Sequence, residues 1–175
     1  LLPQMVYYAH ASLELARRDG RAPNFIIPTG NLGNALACIW ARECGLPIGE
    51  ILLASNANLT VPEFLQSGEW RPRPSVATLA SAMDVGNPSN MERLRWLFPS
   101  IGQLRGKLSA VPVCDDAIRA TIRRDHRELG QTCACRHRRF SMTARRSGPS
   151  GTASRKWRSQ ARCPSFSEPS PRRRP

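Results

Sequence analysis

The sequence predicts an α/β fold built around a parallel β-sheet. Two short apolar runs, at 25–27 and 51–54, are typical of strands that are buried on both faces of such a sheet. Between them, the apolar residues from Leu32 to Cys44 recur at helical spacing. This order of strand, loop, helix and strand is a βαβ unit, and its right-handed crossover makes the two strands parallel.

The other elements are predicted from the same periodicities. Apolar residues from Met5 to Leu15 follow helical spacing, and Arg17, Arg18 and Gly20 are typical of a helix end. Proline-rich sequence at 70–74 predicts an extended connection. Further helices are predicted at 61–66, 90–98 and 115–129. The last of these begins with two acidic residues, which suit the positive end of a helix dipole.

Charge divides the chain into two parts. Residues 1–131 hold 14 of the 26 Lys and Arg and 12 of the 13 acidic residues, which is a net charge of +2. Residues 132–175 hold the other 12 basic residues against Glu168 alone, a net charge of +11. This second part is rich in Arg, Ser and Pro and has few aliphatic residues, so we expect it to be disordered. The predicted domain therefore covers residues 1–131, and the high isoelectric point reflects the tail.

Several classes of protein are disfavoured by simple features of the sequence. Because the first residue is Leu1 rather than Met, we expect the sequence to begin inside a longer reading frame. Residues 1–15 lack a basic start and a cleavage site, so a signal peptide is not predicted. No apolar run approaches the ~20 residues that a membrane span needs. We therefore expect no membrane partner. The six cysteines have no regular spacing, which does not suggest a disulfide framework, so we expect the protein to lie in the reducing cytoplasm.

The segment that carries chemistry lies between the first strand and the following helix. It contains Gly30 and Gly33, which lack a Cβ and let the backbone turn tightly against a ligand. The helix that follows directs its free N–H groups and its positive dipole end to the same place. Short side chains at Thr29, Asn31 and Asn34 add donors. Together these features predict a phosphate site, although glycine and asparagine before a helix are also ordinary turn and cap residues.

Blocks around this loop resemble the threonine synthase family. They occur in the order expected of that family, at 1–8, 25–34, 45–48, 54–58, 61–65, 68–70, 78–85 and 88–90. The resemblance covers roughly residues 1–131 and implies a fold-type II enzyme dependent on pyridoxal 5'-phosphate. It also implies conversion of O-phospho-L-homoserine and water to L-threonine and phosphate. Other fold-type II enzymes, such as a serine/threonine dehydratase, share the glycine loop but not this set of blocks.

The resemblance assigns the cofactor phosphate to residues Gly30, Asn31, Leu32, Gly33 and Asn34. Leu32 stands where phenylalanine is more usual. The family's Schiff-base lysine lies upstream of the block matching Leu1, whereas the lysines of this sequence are Lys107 and Lys156. We therefore assign no catalytic residue and expect the chain to be inactive alone.

After Leu129 and Gly130 the sequence departs from the family. A Pro-His-Thr-Ala-like block is expected there, and its hydroxyl residue would contact the pyridine nitrogen. The sequence instead continues into the arginine-rich tail. We interpret residues from about 133 onward as the product of a frameshift, because a single-nucleotide slip in a GC-rich gene gives Arg, Pro and Ser in this way.

Other readings compete with this one. The tail would bind nucleic acid through phosphates if it were a selected basic segment, but it has few aromatic residues to stack on bases, so no specific nucleic-acid partner is expected. Cys133, Cys135 and His137 lack a second pair at zinc spacing, so no metal site is assigned. Asp84 and Ser81 would either line an active site or cap the approach to a helix, and the sequence favours neither interpretation over the other.

Overall fold

A three-stranded parallel sheet forms the centre of the molecule. The computed structural model describes residues 1–129. Strands β1 (Phe25–Pro28), β2 (Ile51–Ser55) and β3 (Ser109–Pro112) lie in the order β1-β2-β3. Phe25 is opposite Ile51, and Leu52 is opposite Ser109. The predicted βαβ unit and its parallel strands are confirmed.

Six α-helices surround the sheet in the described part of the chain. They are α1 (Leu2–Asp19), α2 (Gly33–Glu43), α3 (Thr60–Ser67), α4 (Met91–Leu97), α5 (Ile101–Lys107) and α6 (Asp115–Leu129), with a 3-10 turn at Ser81–Met83. All of the α-helices except α5 match the predicted positions to within a few residues. The sequence did not predict α5 or β3.

Local sequence explains where the helices stop and start. α1 ends where Gly20 adopts a left-handed conformation, with φ 67°, and donates its N–H to the Ala16 carbonyl. α5 begins with a capping box, in which the Ser100 hydroxyl accepts from the Gln103 N–H while the Gln103 side chain accepts from the Ser100 N–H. This cap lets a helix form in a segment that contains two glycines.

The core lies on both faces of the central strand. All five residues of β2 are buried. Ile51 and Leu53 belong to the larger cluster with residues of α2, α3, α4 and α5, whereas Ala54 belongs to a smaller cluster with Ile118 of α6. Alternate side chains of one strand thus serve the two cores.

Strand β1 is less buried than its sequence predicts. Ile27 is 3% exposed, but Phe25 and Ile26 are only half-buried. β1 pairs with β2 alone among the described strands, so it is an edge of the sheet. The prediction of a strand buried on both faces therefore holds for β2 and not for β1 in this structure.

The described helices do not include one that is long and apolar enough to cross a membrane. Several sequence-based expectations lie outside the described residues. These are the disorder and the frameshift of the tail, its contacts with nucleic acid, the side chain of Lys156, and the thiols and imidazole of Cys133, Cys135 and His137.

Two cysteines, one within α2 and one just after it, give a first test of the fold. Burial raises the pKa of the Cys38 thiol to about 12, while Cys44 is exposed. Since the thiolate is the reactive form, we expect iodoacetamide at pH 8 to label Cys38 at least ~100-fold more slowly than Cys44. Peptide mass spectrometry of the labelled chain measures both rates. The two rates should converge in concentrated urea, and equal rates in native buffer would contradict this packing.

Candidate functional site

The candidate phosphate loop, residues 29–34, lies where β1 ends and α2 begins. The Thr29 N–H donates to the Ala54 carbonyl, which fixes the start of the loop to the carboxyl end of β2. Because all three strands are parallel, their carboxyl ends meet at this same edge of the sheet. The edge is the place where open α/β sheets bind ligands.

Leu32 holds an uncommon backbone conformation at the start of α2. Its φ of 62° and ψ of 4° place it in the left-handed region, which costs a non-glycine residue about 1 kcal/mol or more. The Leu32 side chain is 1% exposed and packs in the larger core. Burial of this side chain stabilises the strained turn.

Asn34 fastens the two ends of the loop together. Its side-chain oxygen accepts from the Thr29 hydroxyl at 3.0 Å and from the Ala35 N–H at 2.9 Å. Its side-chain nitrogen donates to the Pro28 carbonyl at 2.7 Å. The side chain of Asn34 is therefore engaged in shaping the loop, and the group it offers to a ligand is its backbone N–H.

Asn31 joins the loop to a distant segment of the chain. Its side-chain oxygen accepts from the Ser89 N–H at 2.7 Å and from the Ser89 hydroxyl at 3.1 Å. The Asn90 side chain donates to the Asn31 carbonyl at 2.8 Å. The block at 88–90 thus lies directly beside the loop, just before α4.

The two glycines of the loop lie against different neighbours. A Cβ on Gly30 would be 2.8 Å from the Met83 carbonyl oxygen and 2.9 Å from the Met83 Cα. A Cβ on Gly33 would be 3.3 Å from a methyl of Leu1 and 3.7 Å from the Asn90 side-chain nitrogen. Gly30 is required by the close approach of the 78–84 segment, and Gly33 leaves just enough room at the first turn of α2.

The backbone N–H groups of the loop lack protein acceptors in the described part of the chain. Within residues 1–129, no group accepts a hydrogen bond from the N–H groups of residues 30–34. Five consecutive donors at the positive end of a helix suit an anion.

A polar network holds the 78–84 segment against the loop. The Asp84 carboxylate accepts from the Asn56 side chain at 2.6 Å, from the Thr78 N–H at 3.0 Å and from the Thr78 hydroxyl at 2.7 Å. The Leu79 N–H donates to the Asp115 carboxylate. These contacts connect the ends of β2 and β3 to the backbone that covers Gly30. Sequence patterns do not reveal this role of Asn56 and Asp115.

Comparisons with known proteins agree with this geometry. Residues of this chain are 40% identical over 131 positions to the threonine synthase of Serratia marcescens, covering 74% of this chain and 30% of the relative. The PLP-bound threonine synthase from Brucella melitensis superposes with a TM-score of 0.69 at 28% identity, over 84% of this chain and 37% of that one. Threonine synthase from Escherichia coli gives 0.68 at 35% identity, over 79% and 32%.

The chain resembles part of a threonine synthase in both sequence and fold. No family model matches it. The threonine deaminase of T.th. has a TM-score of 0.55 at 17% identity, a likeness of fold alone, which agrees with the predicted fold-type II class. The chain spans about three tenths of the length of the threonine synthases it matches.

Lys107 lies far from the candidate phosphate loop. Its Nζ is 2.9 Å from the Glu43 carboxylate and 5.8 Å from the centre of the Phe98 ring. Glu43 is the last residue of α2, whereas the loop precedes the first, and an 11-residue helix is about 15 Å long. Lys107 is thus an ion-paired residue at the opposite end of the helix.

The predicted site residues are brought together only in part. Gly30, Asn31, Leu32, Gly33 and Asn34 form one continuous loop. Asp84 faces the network described above, while Ser81 is exposed. In residues 1–129 no three His, Cys, Asp or Glu side chains form a group that would hold a metal ion.

Proposed function

We propose that residues 30–34 bind the phosphate of pyridoxal 5'-phosphate, in a segment of an enzyme that converts O-phospho-L-homoserine and water to L-threonine and phosphate. The observation that carries the proposal is the row of five backbone N–H groups with no acceptor among the described residues, at the N-terminus of α2. The resemblance to threonine synthases supports the choice of cofactor and substrate. The free thiols of Cys38, Cys44 and Cys114 suit the cytoplasm.

Each part of the loop has a distinct task in this proposal. The N–H groups donate to the phosphate oxygens, and the dipole of α2 stabilises the negative charge. Asn34 and Asn31 hold the backbone of the loop in place through their side chains. The backbone of Met83, in the 78–84 segment, lies directly against Gly30 on one side of the loop.

The remaining chemistry would come from the cofactor and from groups elsewhere. When bound, pyridoxal phosphate would supply an electron sink for the reaction. A lysine amine moves the protons in this family, and Lys107 is too far from the loop to act there. We therefore assign residues 1–131 to cofactor binding, assign no catalytic residue, and treat residues 132–175 as a separate basic tail on the basis of their sequence.

The contribution of the phosphate group to binding affinity can be measured with pyridoxine 5'-phosphate, a ligand that cannot react with amines. We expect pyridoxine 5'-phosphate to bind the full chain at least tenfold more tightly than pyridoxine, measured by isothermal titration calorimetry. Replacing Gly33 with Trp should abolish this preference, because the indole would push the start of α2 away from Leu1 and Asn90 and misplace the N–H groups.

Gly106→Trp is the matched control. A Cβ at Gly106 in α5 meets no atom within 4 Å, and this variant keeps the same basic tail. It should bind pyridoxine 5'-phosphate as the unmodified chain does. Equal affinities for the two ligands, or an unchanged preference in Gly33→Trp, would show that the loop does not bind the phosphate.

A further inference from the structure

The side-chain oxygen of Gln4 is buried without a partner beside the candidate phosphate loop. Gln4 lies in the first turn of α1, and its Oε1 is shielded from solvent. No group within residues 1–129 donates a hydrogen bond to this oxygen. Burying an acceptor without a donor costs free energy, so such an atom indicates a group that gains a partner in another state of the protein.

The usual structural role of a glutamine at this position does not account for its placement. A glutamine three residues into a helix commonly accepts from the N–H of the N-cap residue, which for α1 is Leu1. Gln103 does so in α5, where its side chain accepts from the Ser100 N–H. In the described part of the chain Gln4 accepts no such hydrogen bond, so it does not cap α1.

Gln4 lies instead against the first residue of α2. Its Oε1 is 3.9 Å from the point that a Cβ on Gly33 would occupy, and a Leu1 methyl is 3.3 Å from the same point. The first turns of α1 and α2 are therefore neighbours. Because the carboxamide oxygen carries partial negative charge, the positive end of α2 stabilises it there. The oxygen thus lies beside the same helix end that is suited to an anion.

Asn90 places a second carboxamide beside the same glycine. Its Nδ2 is 3.7 Å from the Cβ position of Gly33 and donates to the Asn31 carbonyl at 2.8 Å. Asn90 is 7% exposed, and the second hydrogen of this nitrogen has no acceptor among residues 1–129. An acceptor on one side chain and a donor on the other therefore flank the start of α2.

We propose that Gln4 is a further phosphate-binding residue, whose side-chain NH₂ group donates to the phosphate monoester dianion held by residues 30–34. This assignment rests on the proposed function and adds a side chain to a site built from backbone. The oxygen and the NH₂ group of a carboxamide are nearly equal in size, so a half-turn about the last side-chain bond exchanges them. When an anion occupies the end of α2, its charge repels the oxygen and attracts the NH₂ group.

Two substitutions of Gln4 test this donor by isothermal titration calorimetry on the full chain. Gln4→Leu removes the donor from a side chain of similar size and should weaken binding of pyridoxine 5'-phosphate ~10-fold. Gln4→Glu places a negative charge beside the dianion and should weaken binding at least ~30-fold. Both variants should bind pyridoxine, which lacks the phosphate, as the unmodified chain does.

Gln66→Glu is the matched control, since it makes the same change of charge on an exposed side chain of α3. It should bind pyridoxine 5'-phosphate as the unmodified chain does. If Gly33→Trp loses the preference for the phosphate ester while both Gln4 variants keep it, the loop binds phosphate and Gln4 does not. If the unmodified chain shows no preference, the proposed function and this assignment both fail.

NMR of the glutamine side chains distinguishes direct contact from structural support. In a chain labelled with ¹⁵N at the glutamine side-chain amides, the resonance pair that is missing from Gln4→Leu belongs to Gln4. We expect pyridoxine 5'-phosphate to shift this pair and to slow its exchange with water, and we expect pyridoxine to do neither. Without ligand, Gln4→Leu should unfold at the same urea concentration or a higher one, because it removes a buried acceptor that has no donor. Lower stability together with an unmoved resonance pair would assign Gln4 to the fold and overturn the proposal.

Discussion

Replacing Asp84 with Ala is expected to destabilise the full chain by ~3 kcal/mol. The substitution removes one of the two acceptors of the Asn56 side-chain nitrogen, the other being the Thr78 hydroxyl, and it removes the acceptor of the Thr78 N–H and hydroxyl. Asn56 is 1% exposed, so its amide loses a partner where water does not replace it. Urea unfolding followed by far-ultraviolet circular dichroism measures the change.

Two further variants identify the cause of the loss. Asp84→Asn keeps one acceptor oxygen but turns an NH₂ group toward other donors, so it should recover only part of the stability. Glu69→Ala removes a 61% exposed carboxylate paired with Arg71 and should cost less than ~1 kcal/mol. If Asp84→Ala and Glu69→Ala cost the same, the carboxylate of Asp84 does not hold the network together.

The role of Asp84 shows what the sequence could and could not predict about the site. Its block resembles that of a family, yet the sequence left a place in the active site and a capping role equally open. The structure adds contacts that span 28 residues to Asn56 and 6 residues to Thr78. The pairing with Asn56 depends on where the fold places the end of β2, and no local pattern contains that information.

The fold was predictable where strong apolar periodicity coincides with clear stop signals. β2, α2 and α6 have both features. β3 was missed because Ser109–Pro112 contains one large apolar residue, and its pairing with β2 joins segments more than 50 residues apart. α5 was missed because two of its seven residues are glycine.

The loop residues were predictable and their surroundings were not. Glycine spacing between a strand and a helix selects residues 30–34. The contacts of Asn31 with Ser89 and of Gly30 with Met83 appear only in the fold. The assignment of these five residues to the cofactor stays a prediction until binding is measured.

Gly30→Ala tests how tightly the 78–84 segment closes on this loop. An added Cβ would lie 2.8 Å from the Met83 carbonyl oxygen, and its nearest neighbours are all backbone atoms of Met83, so no flexible side chain is there to be displaced. Either the loop or the 78–84 segment must then move. We expect a loss of ~2 kcal/mol in the free energy of unfolding, together with weaker binding of pyridoxine 5'-phosphate.

Gly106→Ala gives the opposite sign and serves as the matched control. Its Cβ meets no atom within 4 Å, and alanine is the better helix former in α5, so this variant should be more stable by ~0.5–1 kcal/mol. The two substitutions add the same methyl group and differ only in what surrounds it. Opposite signs in urea unfolding would therefore assign the loss in Gly30→Ala to its contact with Met83. If Gly30→Ala left the free energy of unfolding unchanged, the 78–84 segment would move at little cost and would not shape the phosphate loop.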